Sequence, residues 1–143
     1  MRGLQYASAW TLALVLASGS SLFAVDPKGA AYVSGTIIQF NGVKEPIEGQ
    51  LDITGEEAFV FTTDARPFAG QAFWIPYQQI LSLEYGLRSG RRVLTIGYVD
   101  DYDRIQSAVI ELGMDIVRST LDLLEVRSGR KVDRRNIQAR QPG

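Results

Sequence analysis

The sequence predicts a mainly β domain with one C-terminal α-helix, arranged as a partly open antiparallel barrel of about seven strands capped by that helix. Three observations carry this. Short apolar runs alternate with polar residues, most cleanly in "EGQLDIT" at 48–54. Turn-forming residues separate these runs at short intervals, as in Asn41-Gly42, Gly55 and Ser89-Gly90. After Gly113 the pattern switches to apolar residues recurring at three and four, with no Pro or Gly before Gly129.

Residues 1–24 read as an export signal. Arg2 and the start amine supply the positive end, 9–17 is the apolar run, and a small-residue stretch at 18–21 leads to cleavage after Ala24. The apolar run is well short of the roughly 20 residues that a spanning helix needs. The expected location of the mature chain is therefore periplasmic or secreted. Residues 25–29, with Pro27 and Gly29, read as a linker.

"AAYVSGTIIQF" at 30–40 reads as the first strand and 41–47 as a loop. In the next strand Gly49, Leu51 and Ile53 share one face, with Glu48, Gln50 and Asp52 on the other. A tight turn at 55–57 leads to "AFVFTT", and the two strands are expected to pair as a hairpin. After a loop at 64–70, "QAFWI" is a short strand that stops at Pro76, which has no N–H for a ladder. "YQQ" is one tight turn, and "ILSLEYG" restarts the sheet with Leu81, Leu83 and Tyr85 on one face. "LRSG" turns the chain into "RRVLTIGYV", and the polar turn "DDYD" at 100–103 precedes the last strand, "RIQSAVIELG". In "MDIVRSTLDLLEVRSG", Met114, Ile116, Val117, Leu121 and Leu124 line one helix face, Asp115 falls in the first turn, and Gly129 ends the helix. Leu121 and Leu124 are placed to plug the open barrel end, each stabilising by about 1.5–3 kcal/mol if fully buried. The domain is thus expected over 30–131, and 132–143 as a basic polar tail, partly disordered.

Composition narrows the chemistry. The 143 residues include no Cys and no His. Disulfides, Cys-ligated metals, lipid attachment to Cys, and Ser-His-Asp or Cys-His catalysis are excluded. No cofactor or metal is expected. Residues 25–126 carry 8 basic and 15 acidic side chains, a net of −7, whereas 127–143 carry 6 basic and one acidic, a net of +5. An acidic body therefore bears a basic end.

The stretch "WIPYQQILSLEYG" at 74–86 resembles the middle of PH-like domains of the bacterial and GRAM kind, in which a strand ends in an Ile-Pro pair, one turn follows, and the next strand opens with Ile. "LTIGYVDD" and "AVIELGMDIVRSTLDLLEVRSGRKV" are similar to a group of uncharacterised exported bacterial proteins of similar length. The resemblance extends over about 33–131 and implies a PH-like fold. It implies no particular activity, because that fold hosts lipid binders, peptide binders and scaffolds.

The candidate contact residues are few. Phosphoinositide binding in PH domains uses a basic cluster near the first hairpin; here only Lys44 stands there, beside Glu45, Glu48 and Asp52. Asp100, Asp101 and Asp103 lack the spacing of a calcium loop and read better as a solvated turn. Arg88, Arg91 and Arg92 in one hairpin could meet an anionic surface or simply keep a sheet edge soluble. Arg130, Lys131, Arg134 and Arg135 could meet anionic lipid, a partner or the acidic body. Phe73 and Trp74 are adjacent, so one must point away from the core. An outward Trp74, with Tyr77, would be a candidate contact; the alternative is that the helix covers Trp74. Glu84 and Glu111 are the residual candidates for a carboxylate pair.

These features point to an exported, non-catalytic binding module for a protein or cell-envelope component. It would act through an exposed sheet edge or the groove beside the helix. The alternative is peripheral association with an anionic membrane through the basic C-terminal segment, and a carboxylate-dependent enzyme is a minor third. No nucleic-acid partner is expected.

Overall fold

The computed structural model describes residues 25–134. The expected signal segment 1–24 and the end of the expected tail, with Arg135, lie outside the described residues. Among those described, eight strands and one α-helix form: β1 Ala30–Gly35, β2 Ile47–Asp52, β3 Ala58–Thr62, β4 Ala72–Pro76, β5 Ile80–Arg88, β6 Arg91–Val99, β7 Ile105–Leu112, α1 Val117–Ser128 and β8 Val132–Asp133. They make one sheet in the order β4-β3-β2-β1-β7-β6-β5-β8. All its pairings are antiparallel except β5 with β8. The mainly β character and the closing helix match the sequence. The expected barrel is corrected to an open sheet with two ends, β4 and β8. The eighth strand falls at the start of the expected tail, because Val132 is an apolar residue that buries beside β5.

Three further expectations change. The first strand does not run to residue 40. It ends at Gly35, and a 3₁₀ turn at Ile38–Phe40 drops the Phe40 ring into the core. There it meets Tyr32 at 5.0 Å and Phe68 at 5.4 Å between ring centroids. In β5, Leu81 does not share a face with Leu83. The register with β6 slips between Ile80 and Ser82, so Leu81 is the extra residue of a bulge and turns outward, leaving Ile80 to point inward. The helix begins at Val117, not Met114. Met114 is 85% exposed, and Asp115 precedes the helix instead of occupying its first turn.

The reason for that late start lies at the other end of the chain. The Gly113 N–H donates to the Gly29 carbonyl at 2.9 Å, and the Asp115 N–H donates to the Pro27 carbonyl at 2.9 Å. Residues 25–29, expected as a linker, are thus held against the start of 113–116. Gly113 permits this approach, since a Cβ there would collide with the Asp26 and Pro27 carbonyl oxygens.

One hydrophobic cluster joins both halves of the sheet to the helix. Phe59, Phe61, Phe73 and Ile75 supply one side, Leu94, Ile96, Ala108 and Ile110 the other. Leu121 and Leu124 enter it from α1, as the sequence predicts. The helix rests on the 3₁₀ turn Tyr77–Gln79 between β4 and β5. It ends at Gly129, whose left-handed φ of 75° suits glycine and whose N–H returns to the Glu125 carbonyl. No helix among the described residues is long and apolar enough to cross a membrane.

Candidate functional site

The open edge of β4 is the starting point. The Thr63 N–H bonds to the Gln71 carbonyl and the Tyr77 N–H to the Glu57 carbonyl, so the odd-numbered positions around β4 direct their backbone groups toward β3. The Gln39 side chain donates to the Ala72 carbonyl at 3.0 Å, which marks the even positions as edge-facing. Backbone directions alternate along a strand. The N–H and C=O of Trp74 therefore point out of the sheet edge. Pro76 is also an even position, so its missing N–H removes no ladder bond to β3, and this explains how a strand can end on proline. Side chains alternate as well: Phe73 and Ile75 are buried, and Trp74 is 63% exposed.

Beside this edge runs a groove of about 490 Å³. The 3₁₀ turn at Ile38–Phe40 forms one wall, Phe73, Trp74 and Pro76 another, and the β6–β7 turn with Asp100, Asp101, Tyr102 and Arg104 the far side. Ile38 and Tyr102 are largely exposed at its rim. Apolar contact surface and unpaired backbone groups therefore occur together.

The far wall is built by Asp100. Its Oδ1 accepts from the N–H groups of Tyr102 and Arg104, and its Oδ2 accepts from Arg104 Nε and Gln106 Nε2, all at 2.8–2.9 Å. The backbone bond from Arg104 leads the effects that lower the Asp100 pKa to about 2. Arg104 also lies over the Tyr102 ring, 5.1 Å from its centroid. Asp101 differs: its Oδ1 accepts from the neutral Gln79 amide at 3.0 Å. Burial raises the pKa of Tyr98, which lines the same groove, so its hydroxyl stays protonated at neutral pH.

The other expected contact residues are held elsewhere. Tyr77 is buried against Phe59 beneath the Arg127 guanidinium, because it opens the turn on which α1 rests; it is not an available contact. Arg91 pairs with Glu111, and Arg88 reaches Thr95, across neighbouring strands. Arg92 lies close enough to Tyr85 to lower its pKa against the larger effect of burial. Arg130 donates to the Ile80 carbonyl, and Arg134 lies 3.9 Å from Glu125. Lys131 is exposed beyond the helix end. The described Arg and Lys residues of the two basic stretches are thus spread along the β5–β6 hairpin and the helix end, and none of them lines the groove. Glu84 and Glu111 stand on β5 and β7 with β6 between them, and Glu111 is engaged by Arg91. Asp100, Asp101 and Asp103 make the polar turn that the sequence favours, and no acidic group among the described residues is arranged to hold a metal ion.

Ile38, Gln39 and Tyr102 went unmarked in the sequence reading. Ile38 sits inside what looks like a strand, and the turn that exposes it depends on Phe40 finding its ring partners. The adjacent aliphatic pair Ile37-Ile38 was the available signal, since two neighbours on a strand cannot both face inward. No protein-family model matches this chain, and no curated protein matches it.

Proposed function

We propose that the chain is an exported, non-catalytic binding module of PH-like architecture that takes up an extended segment of a protein or cell-envelope partner. The segment adds as a strand to the edge of β4 and lies in the groove beside it. The observation that carries this reading is Trp74: its N–H and C=O face out of the sheet edge, and its exposed indole stands at the groove. The seven antiparallel strands followed by a helix, with the Ile75-Pro76 break and single turn before β5, support the PH-like assignment. The apolar run at 9–17 supports export. Membrane association through the basic end draws less support, because Arg127, Arg130 and Arg134 already contact Gly55, Ile80 and Glu125.

Two substitutions separate the parts played by backbone and side chain. Trp74→Ala removes the indole, and Trp74→Pro also removes the edge-facing N–H while leaving the β3 ladder in place. Both should keep the wild-type far-UV circular dichroism. Capture of partners from envelope extract should weaken with the first and be lost with the second. Undiminished capture by Trp74→Pro would remove strand addition as the binding mode.

A further inference from the structure

The groove also carries information about the charge of its occupant. Its lining holds Asp100, Asp101 and Arg104 as the ionised groups, with Asp103 in the same turn. Arg104 is committed to Asp100 at 2.9 Å and to the face of Tyr102. One carboxylate and one ring on this wall are therefore already matched by a cation. Asp101 and Trp74 line the same groove, and no cation among the described residues is shown against either: Asp101 receives a hydrogen bond from the neutral Gln79, and the Trp74 indole is largely exposed. With the basic helix end included, the described residues 25–134 carry 12 basic and 16 acidic side chains, a net of −4, so the field of the folded unit favours the approach of cations.

We propose that this groove selects a cationic extended protein segment, one with strand-forming alternation and a lysine or arginine placed against Asp101 and the Trp74 ring. The assignment rests on strand addition at β4. Backbone pairing at Trp74 would hold the segment in register, while Asp101 and the indole would favour a positive side chain over a neutral or negative one. A free polyamine or a basic lipid headgroup lacks the backbone to pair with Trp74.

Three end-blocked peptides of alternating valine and threonine, identical except for lysine, glutamine or glutamate at the flanking positions, test this against the full chain. Affinity is read by isothermal calorimetry at low and high salt. The lysine peptide should bind about three- to tenfold more tightly than the glutamine peptide at low salt, and the glutamate peptide more weakly than both. High salt should shrink the difference. Asp101→Asn retains the oxygen that accepts from Gln79, and should remove most of the lysine peptide's advantage over the glutamine peptide. Equal affinities of the lysine and glutamine peptides, or a preference unmoved by Asp101→Asn, would overturn the charge selection. In that case the glutamine peptide would still bind and Trp74→Pro would abolish it, so strand addition would stand. Failure of all three peptides to bind would overturn both.

Discussion

Asp100 accepts four hydrogen bonds, two on each carboxylate oxygen, and all of them favour its ionised form. Its pKa is depressed from the ordinary 3.8 to about 2, led by the backbone bond from Arg104. A group whose folded pKa is lowered contributes stability above its unfolded pKa and loses it as pH falls through the folded one. Wild-type thermal stability should therefore decline between about pH 4 and pH 2 with a component that Asp100→Asn lacks. A pH series of melting temperatures for the two proteins checks this; parallel curves would show that the turn does not depend on the charge. The same residue shows what a sequence discloses at this scale. "DDYD" announces a polar turn, but which aspartate organises it depends on Arg104 at the end of the turn and on Gln106 in the next strand. Trp74 behaves similarly: its adjacency to Phe73 requires one of them to face outward, and only the packing of Phe73 among Tyr32, Phe40, Phe59 and Phe61 decides which.

Among the elements, α1 shows most clearly how local pattern and tertiary contact divide the work. Its recurrence at three and four residues places Leu121 and Leu124 on the buried face, and both bury almost completely. Leu124→Ala should destabilise the fold by about 2–5 kcal/mol in urea unfolding, because the core around it is shared by both halves of the sheet. The helix start was not legible in that recurrence, since Met114 fits the period and yet lies outside. The N–H groups of Gly113 and Asp115 are spent on Gly29 and Pro27, a contact across most of the described chain that no local window contains. Gly113→Ala should consequently displace residues 25–29 and cost about 1–3 kcal/mol, with faster amide exchange at Gly113 and Asp115 as the local sign. Strand identity and the hairpins were readable from alternation and turn residues. The bulge at Leu81 shows in the sequence only as the adjacent pair Ile80-Leu81, which requires one of them to face outward without saying which, or that the register slips there.

At the scale of the molecule, a single apolar cluster runs from β3 and β4 through β6 and β7 to α1 and Val132. Folding should accordingly be cooperative: near-UV and far-UV circular dichroism should give the same denaturation midpoint, and a separate early loss of helix would contradict it. The sheet's two ends are treated differently. At the β8 end the N–H of Val132 is taken by Glu125 Oε2 at 2.7 Å, and α1 stands over the adjoining turn. At the β4 end Trp74 stays open. β8 pairs with only Leu83 and Glu84 of the nine-residue β5, so it shields the middle of that edge, whereas the outward groups of Trp74 on β4 face a groove wide enough for a neighbour. Occupancy at Trp74 should saturate at one segment per chain, because its outward N–H and C=O serve a single neighbour, so a second copy seated edge to edge there would compete with a guest for the same place.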